Sequence, residues 1–143
     1  MKKVLVPIDG SETSLRAVRI LIQKRTLYRD PADLEIHLLN VQHSVSGDVN
    51  MFVDHDEIKQ YHHDQGLKAL QPARDLLDKE GIPYIFHISV GEPGHVIAHY
   101  ARDQDCDQII MGTHGRGELA GLLFGSVTRK VIHLAKVPIL LVK

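Results

Sequence analysis

Residues 107–128 read DQIIMGTHGRGELAGLLFGSVT. The first six, Asp107 to Gly112, form a short apolar run that stops at a glycine, as a buried strand would. The last three open a helix, with Val127, Val131, Leu134 and Ala135 repeating at helical spacing over 126–136. Between strand and helix stand Gly112, Gly115, Gly117, Gly121 and Gly125. Glycines let a backbone approach a phosphate closely, and the unpaired N–H groups and dipole at a helix start favour an anion. Ser126 and Thr128 add hydroxyl donors. The same residues admit a plainer reading, with Ser126 as an N-cap and the glycines as turns. Placement directly after a strand, with basic residues nearby, favours the phosphate reading.

Outward from this stretch the chain alternates strand and helix. Lys3 to Asp9 (KVLVPID) is an apolar, β-branched run ending at a carboxylate, followed by Gly10-Ser11 as turn and N-cap of a helix to about Tyr28. Leu34 to Gln42 is a second strand, and His43 to Asp56 reads as a loop. A helix then runs through Ile58, Tyr61, Ala69, Ala73, Leu76 and Leu77 to a cap at Gly81, with Pro72 expected to kink or split it. Ile82 to Val90 is a third strand, and Glu92-Pro93 starts a helix whose apolar face is Val96, Ile97, Tyr100 and Ala101. Val137 to Val142 is a last strand. This alternation predicts one α/β domain over 1–143, a parallel sheet with helices on both faces and right-handed crossovers.

In such sheets ligands bind beyond the carboxyl ends of the strands, where the strand order reverses. Two strands end unusually, the first at Asp9 and the fourth at Gly112. If those strands are neighbours, carboxylate and glycine loop face one crevice.

The bulk numbers fit a small-molecule binder. The 143 residues carry a net charge of −1, with 43% hydrophobic, 24% charged and 5% aromatic residues and no Trp. That balance gives no pull toward nucleic acid or membrane. Charge is uneven, however. Residues 113–143 hold Arg116, Arg129, Lys130, Lys136 and Lys143 against Glu118, a net of +4. A locally positive segment suits a small polyanion. Cys106 is the single cysteine, so no internal disulfide forms, and its acidic neighbours Asp105 and Asp107 argue against an activated thiol. No stretch approaches a membrane span or a signal-peptide core, so the cytoplasm is the expected compartment.

Several nucleotide motifs are missing. No G-x-x-x-x-G-K-[ST] occurs, and Gly115 to Ala120 fits G-x-G-x-x-A in the wrong place, with no acidic residue after Glu118. A phospho-receiver is excluded because the third strand ends in Val90-Gly91. Ten histidines raise a metal site, but His95 and His99 lack partners at zinc-site spacing, and His62-His63 reads as surface. His114 could touch phosphate or merely fill the loop. Arg129 and Lys130 read equally as phosphate-steering or ordinary surface charge.

The spacing Gly112-x2-Gly115-x9-Gly125-Ser126, with the opening VLVPIDGSE, the phrase DQIIMGTHGRG and the ending VTRKVIHLAKVPILLVK, resembles the universal stress protein family. The resemblance spans the chain. It implies an open, doubly wound, Rossmann-like five-stranded parallel sheet of order 3-2-1-4-5, ATP binding and a homodimer formed through the edge strand 137–142. By position, Asp9 resembles the family residue at the ribose or an associated Mg²⁺, which makes it the candidate metal ligand. Val41 resembles the residue whose backbone recognises adenine, with Pro7 and Met111 as apolar neighbours of the base. Gly112 and Gly115 resemble the glycines flanking ribose and phosphates, and Gly125, Ser126, Val127 and Thr128 the phosphate-binding run. The resulting expectation is an ATP-dependent stress-response switch with little or no turnover. The alternatives are a slow ATP hydrolase or adenylyl-transfer enzyme, and a dimeric interaction module with a vestigial site.

Overall fold

In the computed structural model, which describes residues 2–45, 47, 51–115, 121 and 123–143, strands and helices alternate as β1 (Lys2–Pro7), α1 (Glu12–Lys24), β2 (Leu34–Gln42), α2 (His55–Lys79), β3 (Ile85–Val90), α3 (Pro93–Asp103), β4 (Gln108–Gly112), α4 (Ser126–Leu134) and β5 (Ile139–Val142). The five strands form one parallel sheet in the order β3-β2-β1-β4-β5. The order reverses between β1 and β4, which are neighbours, so Asp9 and the glycine loop do leave adjacent strands.

Alternation along each strand splits the core in two. Val4, Val6, Ile36 and Leu38 pack with Val18 and Leu21 of α1 and Leu70 and Leu77 of α2. Leu5, Leu39, Ile109 and Met111 point the other way, onto Ile97 and Ala101 of α3 and Val131 of α4. Both faces of the central strands are covered, which is why they read as unbroken apolar runs rather than alternating ones.

Local chemistry sets the element ends. Ser11 caps α1 by accepting the Ser14 amide at 3.1 Å. The helix stops at Lys24, short of the expected Tyr28, and a 3-10 turn, Arg25–Leu27, follows. At the end of α2, Gly81 takes φ +64°. The Ile82 amide bonds back to the Leu77 carbonyl at 2.9 Å. That bond withdraws Ile82 from β3, and Pro83 has no amide to give, so the strand begins at Ile85.

Helix α2 departs furthest from expectation. It starts at His55 with Asp54 as its cap and continues through Pro72 as a single 25-residue element. The apolar row Ala69, Leu70, Ala73 and Leu77 holds both sides of the proline on the sheet. His62, expected at the surface, is 6% exposed and belongs to the same sheet-facing row, four residues before Gly66. Its Nδ1 has no hydrogen-bond partner among the described residues. With a polar ring at one position and a glycine at the next, no hydrophobic mark showed that this turn faces inward. His95 and His99 are exposed, as expected.

Pro72 still costs the helix one hydrogen bond, since the Lys68 carbonyl has no amide to accept. Pro72→Ala should therefore stabilise the protein by about 1–3 kcal/mol. Urea denaturation followed by circular dichroism measures this, and an unchanged or lower midpoint contradicts it.

Candidate functional site

Pro7 decides where the sheet opens. Along β1, the Lys3 carbonyl accepts from the Asp107 amide on the β4 side, whereas the Ile8 amide donates to the Leu39 carbonyl on the β2 side, at 2.8 Å each. By strand alternation Pro7 faces β4, where it has no hydrogen to donate. Pairing of β1 with β4 accordingly ends at Leu5 opposite Ile109. Past that point the two strands part, leaving a cleft of about 490 Å³ at the carboxyl end of the sheet.

All ten residues expected at the site line this one cleft: Pro7, Asp9, Val41, Met111, Gly112, Gly115, Gly125, Ser126, Val127 and Thr128. Val41 lies beyond the last β1 partner of β2, which is Pro7 opposite Leu39. The Gln42 carbonyl accepts the Gly91 amide on the β3 side. By alternation, the Val41 N–H and C=O point toward the gap that β1 has vacated.

The glycine loop is pinned at its base. The Gly125 amide donates to the Thr113 carbonyl at 2.8 Å, and the Thr113 amide donates to Val142 of β5 at 2.9 Å. Thr128, 3% exposed, donates its hydroxyl to the Gly112 carbonyl at 2.9 Å. That hydroxyl ties α4 to β4, so what Thr128 offers the cleft is its main chain. The cap of α4 is Gly125 rather than Ser126, and among the described residues no side chain caps it. The first intrahelical bond runs from Arg129 to Gly125. The amides of Ser126, Val127 and Thr128 therefore have no acceptor within the helix, and the dipole's positive end points at the cleft. Arg116, Gly117, Glu118, Leu119 and Ala120 lie outside the described residues.

Two glycines sit in close contact with neighbouring side chains. A Cβ on Gly115 would sit 2.5 Å from Asp9 Oδ2, and one on Gly112 would sit 2.6 Å from Thr13 Cγ2. Gly115 thus lets the loop close over the carboxylate. The other Asp9 oxygen, Oδ1, accepts the Ser11 amide at 2.9 Å. Asp9 therefore braces the β1–α1 turn and faces the loop together.

Some of the cleft was missed by sequence reading. Asn40 and Gln42 flank Val41 on β2, and Tyr61, Gln65 and Lys68 come from α2. The 25 residues of α2 span about 37 Å, against about 20 Å for the six of β3, so the helix rises past the sheet and walls the cleft. Tyr61, Gln65 and Lys68 share a face at helical spacing, a signal that means nothing until the helix is known to overhang. Lys68 and Asp9 are the only Lys, Arg, Asp or Glu side chains among the described lining residues, joined there by His43 and His114. His114 Nδ1 lies 3.1 Å from Thr113 Oγ1. Arg129 and Lys130 do not line it, and the Lys130 stem packs on Gly94 instead.

A second polar group lies deeper, on the α3 face of β2. His37, 1% exposed, holds Tyr100 Oη at 2.8 Å through Nδ1 and Glu35 Oε1 at 2.5 Å through Nε2. The bond from His37 holds the Glu35 carboxyl below its usual range, aided by Lys3 and opposed by partial burial. Burial pushes the Tyr100 hydroxyl up to about 12 and the Cys106 thiol up to about 11. For Cys106 the acidic neighbours Asp107 and Asp105 add less than burial does, and Lys3 opposes them. The thiol stays protonated at neutral pH.

A doubly wound parallel sheet, opened at its reversal point between a carboxylate and a glycine loop, defines a class of α/β proteins that bind ligands in that crevice. The universal stress protein family model matches residues 1–143, and the chain belongs to that family. Universal stress protein MJ0531 of Methanocaldococcus jannaschii is 30% identical over 99% of this chain and 82% of its own length. The solved structure of protein MJ0577, from the same organism, has a TM-score of 0.82 at 33% identity, covering 99% of this chain and 95% of that one. A universal stress protein solved in complex with cAMP has a TM-score of 0.71 at 24% identity, covering 99% and 97% of the two chains, and at that identity it speaks for the fold.

The lowered Glu35 carboxyl has a pH consequence. A carboxyl held lower in the folded state adds stability above its unfolded pKa of about 4.3 and loses it as pH falls through the folded value. Glu35→Gln should therefore be less stable than wild type at pH 6–7. The difference should vanish as the pH drops below the folded pKa, as read by denaturant midpoints across pH.

Proposed function

We propose that the cleft binds an adenine nucleotide, ATP in particular, and that occupancy switches the protein's conformation or partners with little turnover. The observation that carries this reading is the convergence of ten family-like positions on one cleft. There a main-chain edge at Val41, a carboxylate at Asp9 and an uncapped helix start at Ser126 stand together. Each answers a different part of a nucleotide. A strand edge suits a base, a carboxylate suits ribose hydroxyls, and free helix amides suit phosphate. A structural neighbour is a universal stress protein solved in complex with cAMP, an adenine nucleotide, which supports the reading.

Asp9 supplies one carboxylate, and no group of three or more His, Cys, Asp or Glu able to hold a metal occurs among the described residues. A Mg²⁺ here would take its remaining oxygens from the phosphates and water, the usual arrangement for that ion. Among the described residues no motif marks a general base for attack by water on a γ-phosphate, and we read the cleft as a switch rather than an enzyme. Asp9 is the observation on the side of slow hydrolysis.

We further propose a homodimer through β5. It is an edge strand, and its Ile139, Leu140 and Leu141 remain partly exposed. Pro138 and Val142 both accept bonds from the β4 side, so by alternation the Leu141 amide points outward.

Denaturing protein purified without added nucleotide should release an adenine nucleotide, and stripped protein should bind ATP in calorimetry. Gly115→Val, whose Cβ collides with Asp9, should abolish that binding while the protein stays folded. No released nucleotide and no heat with ATP sink the reading. Asp9→Ala separates the two functions: phosphate release under ATP and Mg²⁺ that is lost while binding survives identifies a hydrolase. Light scattering should find a dimer that Leu141→Pro converts to a folded monomer, since the change removes an outward donor and leaves the β4 ladder alone. A wild-type monomer at micromolar concentration contradicts edge pairing.

A further inference from the structure

On either side of Val41, two side-chain amides form a chain whose polarity is fixed from one end. Asn40 is 2% exposed, and its Nδ2 donates to the Ile8 carbonyl at 2.8 Å. A carbonyl can only accept, so this bond decides which way the Asn40 amide is turned. Asn40 Oδ1 is then the atom left for Gln42, and Gln42 Nε2 donates to it at 2.7 Å. The turn of Gln42 is thereby fixed as well. With one Nε2 hydrogen committed, Gln42 has left its acceptor Oε1 and a single further N–H.

The chain starts at Ile8, one residue past β1 and one before Asp9, and ends on β2 at the residue after Val41, and Ile8, Asn40 and Gln42 all line the cleft. It ties β2 to the end of β1 just beyond their last backbone bond, from Ile8 to Leu39, and so holds the Val41 edge in place relative to the carboxylate. Gln42 is only half-buried, and a half-exposed glutamine ordinarily turns freely between its two orientations. Here an otherwise ambiguous group presents a defined acceptor beside the strand edge that the base would use.

We propose that Gln42, oriented by Asn40, is a base-reading residue that selects 6-amino purines over 6-oxo purines. This rests on the adenine-nucleotide reading above. The 6-amino group of adenine is a donor and meets Oε1, whereas the 6-oxo group of hypoxanthine or guanine is an acceptor and is repelled by it. A side-chain amide of this kind is the usual complement to the adenine edge. Asn40 touches no ligand in this scheme and is a positioning residue that acts through Gln42 and Ile8.

The test compares ATP, ITP and inorganic tripolyphosphate by calorimetry on the intact protein, wild type and two variants. ITP differs from ATP at the 6 position and the adjacent ring nitrogen, and tripolyphosphate has no base. Wild type should prefer ATP to ITP by about tenfold or more. Gln42→Leu removes the acceptor and should cut that preference at least about fivefold, leaving tripolyphosphate affinity unchanged. Asn40→Leu keeps Gln42 but removes the Oδ1 that anchors it, so the Gln42 amide is free to turn and the preference should fall too. Circular dichroism confirms that both variants fold, and a general loss of structure would weaken tripolyphosphate binding as well. Equal ATP and ITP affinities in wild type, or an undiminished preference in both variants, overturn the role of Gln42 and leave nucleotide binding standing. Failure of wild type to bind either nucleotide overturns both readings, and tripolyphosphate binding would then mark a bare anion site.

Discussion

The arrangement of the cleft depends on a missing hydrogen. Pro7 sits at the end of the central strand β1, on the side facing β4, where any other residue would donate to its neighbour. A proline inside a central strand would be a defect. At the strand's last position it becomes a release point, because β4 runs on paired with β5 alone while the other side of β1 holds for one more bond, from Ile8 to Leu39. The sheet unzips on one side only. Met111 and Gly112 line the gap from β4, Val41 from β2, and the chain turns through Asp9 above them. Stability is kept lower down, where Leu5, Leu39 and Ile109 are almost wholly buried.

Much of this was legible because the residues concerned announce themselves locally. An apolar run ending in Asp9-Gly10, another ending in Gly112 and a glycine spacing that leads into Gly125-Ser126 mark strand ends and a helix start without tertiary knowledge. Strand order cannot be read that way. Periodicity predicts a parallel sheet, and only the resemblance supplied 3-2-1-4-5. Element ends went astray where competing bonds decide them, as when Ile82 served the end of α2 instead of β3. The α2 wall stayed hidden for a different reason. Gln65 and Lys68 are unremarkable polar residues and Tyr61 was counted with the apolar spacing, while the role of all three depends on a helix overtopping its sheet. His62 was read outward because an imidazole carries no mark of burial. Asn40 was invisible inside its strand, since its value lies in a bond to a residue 32 positions away.

Polar groups in this protein are placed where the chain has to do something the apolar core cannot. Asn40 bridges strands that have stopped pairing, Thr128 fastens a helix to the strand before it, and His37 joins Glu35 to Tyr100 across the sheet and α3. Each is nearly or fully buried with its side-chain bonds made, so each adds directional constraint rather than bulk attraction. His62 differs, with a buried ring nitrogen that has no such bond among the described residues.

The loop that leaves β4 is fastened at both ends close to the sheet, by the Gly125 amide on the Thr113 carbonyl and the Thr128 hydroxyl on the Gly112 carbonyl. Its two ends are thus set independently of what lies between them. For a closed loop the entropic cost grows only with the logarithm of length, about 0.6 kcal/mol for each doubling. Between Gly115 and Gly125 the chain can therefore lengthen, shorten or change composition across evolution while the start of α4 stays where it is. A pinned base makes the loop a module, free to acquire new surface without renegotiating the fold.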